Sequence, residues 1–405
     1  MSAQTIVSVV RRRLAGVPER TTMADEDLRR LVESEVDAAL ALPEFTGLVD
    51  PGAREAMRRD VVNEILGFGP LQDLLDDPTI SEIMVNGFDD VWVERDGMIE
   101  RSPRSFESED QLLVVIDRMV RSSGRRVDQS SPMVDARLPD GSRLNAILPP
   151  LAVDGPAVTV RKFTSSGLSI DDLVASATLS RDAANFLVGA VEARMNILVS
   201  GGTGTGKTTV LNVLSTHIGR EERVVTIEDA VELALRLPNL VRLEARPGNS
   251  EGAGEVNVRD LVRNSLRMRP NRIIVGEVRA GETIDMLQAM NTGHEGSLST
   301  VHANSPRDAL RRIETMILLA GLDLPLRAVR EQISSAIDLV VHLARDQRGR
   351  RFVTMITEVS GMEGEVVSTA DLFRRNDAVA GASPELLATG LVSHRLEIRR
   401  ARIAA

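Results

Sequence analysis

The chain has 405 residues, enough for two domains, and its 42% hydrophobic and 27% charged content belongs to a folded protein rather than a disordered one. Cysteine is absent, which excludes disulfides and every thiolate-ligated zinc or iron–sulfur site. A net charge of -10 with 2% aromatic residues disfavours direct nucleic-acid binding, which draws on a positive field and stacking rings.

At the N-terminus the apolar run Ile6 to Val10 precedes the basic block Arg11-Arg12-Arg13, the reverse of a secretion signal. No apolar run reaches the roughly 18 residues that a membrane span requires. Residues 1–55 are expected to form a helical extension, because Leu28, Leu31, Val32, Val36, Leu40 and Leu42 share one helix face before Pro43. A second helix is predicted from Pro51 to Leu66. These helices either pack on their own protomer or dock a partner.

Residues 56–163 are expected to form a smaller α+β domain of short strands, with one helix near Asp110 to Val120. The segments Val134 to Leu138 and Arg143 to Leu148 flank Pro139-Asp140-Gly141-Ser142, turn chemistry that predicts a hairpin. Thr164-Ser165-Ser166-Gly167 opens a linker over 164–171. From 172 to 375 helices alternate with strand candidates at Asn196 to Val199, Arg223 to Ile227, Leu240 to Leu243, Arg272 to Val275 and Leu298 to Val301. That alternation predicts an α/β domain with a largely parallel sheet. Arg246 to Gly254 is expected to be a mobile loop, and 376–405 a C-terminal tail whose Arg395 to Arg402 stretch is either solvated or a docking segment.

The strand at Asn196 runs into Gly201-Gly202-Thr203-Gly204-Thr205-Gly206-Lys207-Thr208-Thr209, a complete G-x-x-x-x-G-K-T phosphate loop leading into a helix. Its glycines let backbone N–H groups converge on phosphate oxygens, Lys207 reaches the β/γ-phosphates and Thr208 holds Mg²⁺. Only Lys162 and Lys207 among the 49 basic residues are lysines, so a surviving lysine marks a place where a compact ammonium is needed. Downstream, Arg223 to Ile227 ends in Glu228-Asp229 and is followed by Glu232. Taken alone, these are solvated surface acids. Arg272 to Val275 ends in Gly276-Glu277, the form of a Walker B element with glutamate, whose carboxylate can orient the Mg²⁺ water shell. His294 and His302 follow at a spacing unsuited to a metal pair, and each alone reads as a hydrogen-bonded structural histidine.

In combination, the phosphate loop, Ile227 to Leu233, Val275 to Arg279 and the two-histidine segment resemble the Walker A, Asp box, Walker B and His box of secretion ATPases. Gly67 to Leu71, Glu82 to Gly87, Leu138 to Arg143 and Arg161-Lys162-Phe163 look like the CpaF/TadA branch, which powers tight-adherence (Flp-type) pili. Asn271 stands where that pattern has Asp, and Ala280 where Gly is usual. The resemblance implies a RecA-like C-terminal ATPase domain and a homohexamer that binds ATP and Mg²⁺ between its two domains. It implies Arg143 and Arg161 as phosphate ligands, Glu232 as the residue polarising the attacking water, Glu277 at Mg²⁺, and Glu228, His294 and His302 as further catalytic candidates. It implies cytoplasmic protein, peripheral at the inner membrane face through platform proteins. A RecA-like nucleic-acid translocase is the competing reading.

Overall fold

The computed structural model describes residues 3–17, 23–45, 50–163, 167–246, 254–376 and 385–404. The chain divides into two units, Met1–Thr164 and Ser165–Ala405. Residues 164–166 of the expected linker and 247–253 of the glycine-rich stretch lie outside the described residues.

Unit 1 begins with α1 (Ala3–Ala15), α2 (Asp25–Leu40) and α3 (Pro51–Leu66). Apolar residues one helical turn apart, Ile6 and Val10 on α1 with Val32 and Val36 on α2, meet Val61 and Val62 of α3 in one core. The three helices thus pack on one another within this unit. α3 starts where Asp50 accepts a bond from the Ala53 N–H at 2.8 Å, with Pro51 in the first turn. It runs on to Leu66, so the boundary expected at 55 falls inside a helix.

Beyond α4 (Gln72–Asp76) come β1 (Ile80–Asn86), β2 (Val91–Arg95), β3 (Met98–Arg101), α5 (Glu109–Ser122), β4 (Met133–Arg137), β5 (Arg143–Ile147) and β6 (Ala157–Arg161). The strands form an antiparallel sheet in the order β3-β2-β1-β6-β5-β4. Leu112, Ile116 and Met119 of α5 pack against Ile83, Leu144 and Val160. In the β4–β5 turn, Asp140 accepts the Ser142 N–H at 2.9 Å and Gly141 takes φ +92°. Lys162 places its ammonium on the carbonyls of Leu74 and Asp77 behind α4, where a helix end leaves acceptors open.

Unit 2 contains α6 (Ile170–Ala175), α7 (Arg181–Glu192), β7 (Ile197–Gly201), α8 (Lys207–Ser215), β8 (Val224–Glu228), β9 (Leu240–Glu244), α9 (Val258–Ser265), β10 (Arg272–Val275), α10 (Glu282–Asn291) and β11 (Leu298–His302). It continues through α11 (Pro306–Leu319), α12 (Leu326–Ala336), β12 (Leu339–Arg345), β13 (Arg351–Glu363), β14 (Val366–Arg375), β15 (Leu386–Ala388) and α13 (His394–Ala404). The sheet order is β15-β14-β13-β12-β7-β11-β10-β8-β9. From β12 to β9 neighbouring strands are parallel, and from β12 to β15 they are antiparallel.

The central parallel strands β7, β8, β10 and β11 are buried almost along their whole length because both faces are covered. Ile197 and Val199 enter one core with Leu187, Val210 and Leu214, while Leu198 between them enters the other with Leu287, Ile313 and Ile333. The sheet is thus largely parallel, as expected, and the three antiparallel pairings from β12 to β15 extend it through Arg351–Glu363 and Val366–Arg375, which mix exposed polar residues with buried ones. The segment expected as a tail from 376 also carries structure. β15 pairs with β14, and Arg395 and Arg399 of α13 close on the buried Asp338 at 2.7 and 2.8 Å.

Candidate functional site

The phosphate loop joins β7 to α8 at the carboxyl end of a central strand, where open α/β sheets bind ligands. Gly201 lies so close to β12 that a Cβ there would meet the Leu343 carbonyl oxygen at 2.6 Å. Gly204 and Gly206 hold left-handed backbone, φ +69° and +93°, conformations that side chains rarely adopt. Gly206 is followed at once by Lys207, the first residue of α8, so Thr208 and Thr209 sit in the first turn, where helix N–H groups are open to an anion. Thr205 is turned back on the loop, its hydroxyl donating to the Gly202 carbonyl at 2.9 Å. Lys207 is buried, and its Nζ donates to the carbonyls of Gly201 and Gly202 at 3.1 and 2.8 Å. Gly202 and Thr203 complete the loop between these fixed points.

Two strands over, Gly276-Glu277 follows β10, and parallel β11 between β10 and β7 delivers His302 beside Gly201. His302 Nε2 lies 2.9 Å from Glu277 Oε1. The other carboxylate oxygen, Oε2, accepts from Nε and Nη2 of Arg279 at 2.8 and 2.6 Å. Arg279 also reaches Asp229 beyond β8, at 3.4 Å. Burial first, then the nearby Lys207 charge, hold His302 below its ordinary pKa, against the pull of Glu277. The ring is therefore a neutral imidazole lying against the Glu277 carboxylate.

Glu228, at the end of β8, is buried with its carboxylate turned onto its own chain. Its Oε1 accepts the N–H groups of Glu232 and Leu233, both at 2.9 Å. Desolvation pushes Glu228 up to about 7, while those two N–H groups pull the other way. Glu232 lies between Val231 and Leu233, whose side chains are buried, and is itself half-buried.

The structure does not bring every candidate to this edge. His294 precedes β11, whereas His302 ends it, and the five residues of that strand set its two ends about 13 Å apart. His294 thus lies at the opposite edge of the sheet from the phosphate loop, near Asn196, which precedes β7 and accepts the Gly296 and Ser297 N–H groups at 2.8 and 3.1 Å. Arg143 and Arg161 are register partners on β5 and β6 of unit 1, and Arg161 lies 3.6 Å from Glu82.

His342 is a residue that the motif reading passes over. Its Nδ1 lies 2.9 Å from the hydroxyl of Ser200, just before the loop, although 142 positions separate the two. Burial lowers its pKa, so it too is a neutral ring buttressing β7. The only signal for it in the sequence is the scarcity of histidine.

A family model described as "Type II/IV secretion system protein" matches residues 64–375. A protein of Mycobacterium tuberculosis strain H37Rv named for conjugal transfer is 40% identical over 332 residues, 80% of this chain and 94% of that one. The conjugal transfer protein TrbB of Rhizobium radiobacter is 35% identical over 296 residues, 72% of this chain and 86% of that one. Among solved structures, the ADP-bound pilus retraction motor PilT is similar in fold, with a TM-score of 0.50 at 19% identity, covering 82% of this chain and 85% of that one.

Proposed function

Because the chain belongs to the type II/IV secretion system protein family, we propose that it is a Mg²⁺-dependent motor ATPase. In this reading a homohexamer hydrolyses ATP to drive a pilus-assembly or export machine in the cell envelope. The observation that carries it is the meeting, at one sheet edge, of the Lys207 phosphate loop with the Glu277–His302 pair. Lys207 and the open N–H groups of α8 bind the phosphates. Thr208 and Glu277 are hard oxygen donors, which fits Mg²⁺ held by one or two protein groups and the substrate phosphates. When bound, that ion neutralises charge developing on the phosphate oxygens. Glu232 orients the attacking water. Arg143 and Arg161 act on the phosphates, whose spread charge suits guanidinium groups.

Residues resembling the CpaF/TadA motifs favour the tight-adherence pilus as the machine, and relatives named for conjugal transfer favour an export apparatus. Among the described residues no helix is long and apolar enough to cross a membrane. We therefore assign docking at the cytoplasmic face of the inner membrane to polytopic platform proteins. The test pairs ATP hydrolysis and native mass of the purified chain with deletion in the source cell. Lys207-dependent hydrolysis by hexamers, with loss of surface pili, supports the pilus reading. Loss of substrate transfer with pili intact supports the export reading, and hydrolysis stimulated only by DNA or RNA supports a translocase.

A further inference from the structure

We infer that Asn212, Glu228 and Glu244 form a side-chain cradle that positions Glu232 for hydrolysis. The inference rests on the ATPase reading above and names positioning residues for it. Residues 231–237 form neither helix nor strand, yet Val231 and Leu233 within them are buried. Buried backbone N–H groups need acceptors, and this stretch has no regular ladder to supply them. Side chains do so instead, for four consecutive residues. The Val231 N–H donates to Glu244 Oε1 at 3.3 Å, those of Glu232 and Leu233 to Glu228 Oε1 at 2.9 Å, and that of Ala234 to Asn212 Oδ1 at 3.0 Å.

The three acceptors come from three elements. Glu244 ends β9, Glu228 ends β8, and Asn212 lies on α8 one turn after Thr208, on the same helix face. The cradle therefore ties the Glu232 backbone to the helix that carries the phosphate loop. It also touches the Glu277 strand end, because Glu228 Cγ would lie 2.8 Å from a Cβ on Gly276. Glu228 is only 3% exposed and its Oε2 is buried without a hydrogen-bond partner, which suits a residue that acts through the chain it holds and not on substrate. This makes Glu228, a catalytic candidate by resemblance, a positioning residue.

The test measures kcat for ATP and Kd for a non-hydrolysable ATP analogue on folded, assembled protein, with variants built alone and on Glu232→Gln. A misplacement of about 1 Å can cost about 10²-fold, so Glu228→Ala and Asn212→Ala should each lower kcat by about 10–100-fold. Kd should stay within about twofold. Glu228→Gln and Asn212→Asp keep an acceptor oxygen and should recover most of the loss. On Glu232→Gln the alanine changes should slow hydrolysis no further, because residues that act as one unit are non-additive. Asn212 is partly exposed, so Asn212→Ala keeps the test open should Glu228→Ala not fold. Full additivity with Glu232→Gln, or a Kd that rises in step with the fall in kcat, would overturn the cradle. Glu228→Gln as slow as Glu228→Ala would also overturn it, by making the charge the active feature. Hydrolysis unaffected by Lys207→Ala would instead sink the ATPase reading on which the cradle depends.

Discussion

Glu277 and His302 meet at 2.9 Å, Oε1 to Nε2, although they come from the ends of two different strands. Arg279 holds the second oxygen with two hydrogen bonds, while the imidazole lies against the first. Replacing His302 by Ala should therefore lower kcat by about 10-fold or more while nucleotide Kd stays within about twofold, since the ring orients Glu277 rather than binding phosphate. Unchanged kcat in His302→Ala would remove the histidine from the mechanism.

Lys207 and Glu277 should fail in different ways. In the proposed reaction Lys207 serves bound phosphates from the start, so Lys207→Ala should abolish nucleotide binding or turnover. Glu277→Gln keeps the shape of the site and loses the charge that acts during hydrolysis, so it should bind nucleotide and turn over about 10²-fold more slowly or worse. Equilibrium binding beside steady-state hydrolysis separates the two. Normal turnover by Glu277→Gln contradicts its assignment.

Arg143→Ala and Arg161→Ala should depress kcat far more than affinity. An arginine engaged with a transferring phosphoryl group can contribute about 10³–10⁵ in rate, so even partial engagement gives a clear loss. Parental kcat in both variants would leave these residues as a register pair on β5 and β6 with no part in hydrolysis.

Glu228 should make stability fall as pH rises. Its folded pKa of about 7 stands above the ordinary 4.5, with desolvation as the main cause and Glu232 and Arg242 the neighbouring charges. The folded state thus holds the proton more tightly than the unfolded chain. Relative to Glu228→Gln, parental stability is fully present below pH 4.5 and is lost progressively until pH passes about 7. The shift amounts to about 3 kcal/mol. Denaturant titrations of both proteins at pH 5 and 8.5 should show the parent losing ground by a large part of that amount. A pH-independent difference would refute it.

Glu222→Ala should destabilise unit 2 by about 3–5 kcal/mol, the cost of leaving a buried charge unpaired. Arg272 is 1% exposed and donates to both oxygens of Glu222 at 2.9 and 2.7 Å. Gly296 is part of the same packing, since a Cβ there would meet Arg272 Nη1 at 2.7 Å. A melting temperature within about a degree of the parent would show that the charge finds water instead.

The order of strand, phosphate loop and helix from Asn196 to Leu214 is legible in the sequence, because an apolar run buried on both faces and a glycine-rich turn are properties of neighbouring residues. The same holds for the helix from Pro51 to Leu66, whose cap and periodicity are local. Both lysines end on backbone carbonyls, a placement that the scarcity of lysine does not foretell. Local patterns do not reveal which strand lies beside which. Parallel register on β7 carries His302 to the phosphate loop and leaves His294 at the far edge, although only eight positions separate them. Ser200 with His342, Arg279 with Asp229, and Asn212 with Ala234 are pairings across the fold, created when strands and helices distant in sequence close on two shared cores. Such pairs leave no periodic trace, because each residue's own neighbours in the chain do not encode the side chain it will face. The sequence by itself thus determined the phosphate-loop motif and the alternation that covers a parallel sheet. Only the tertiary structure decided which acids and histidines share its edge, and which of them serve by holding the backbone in place.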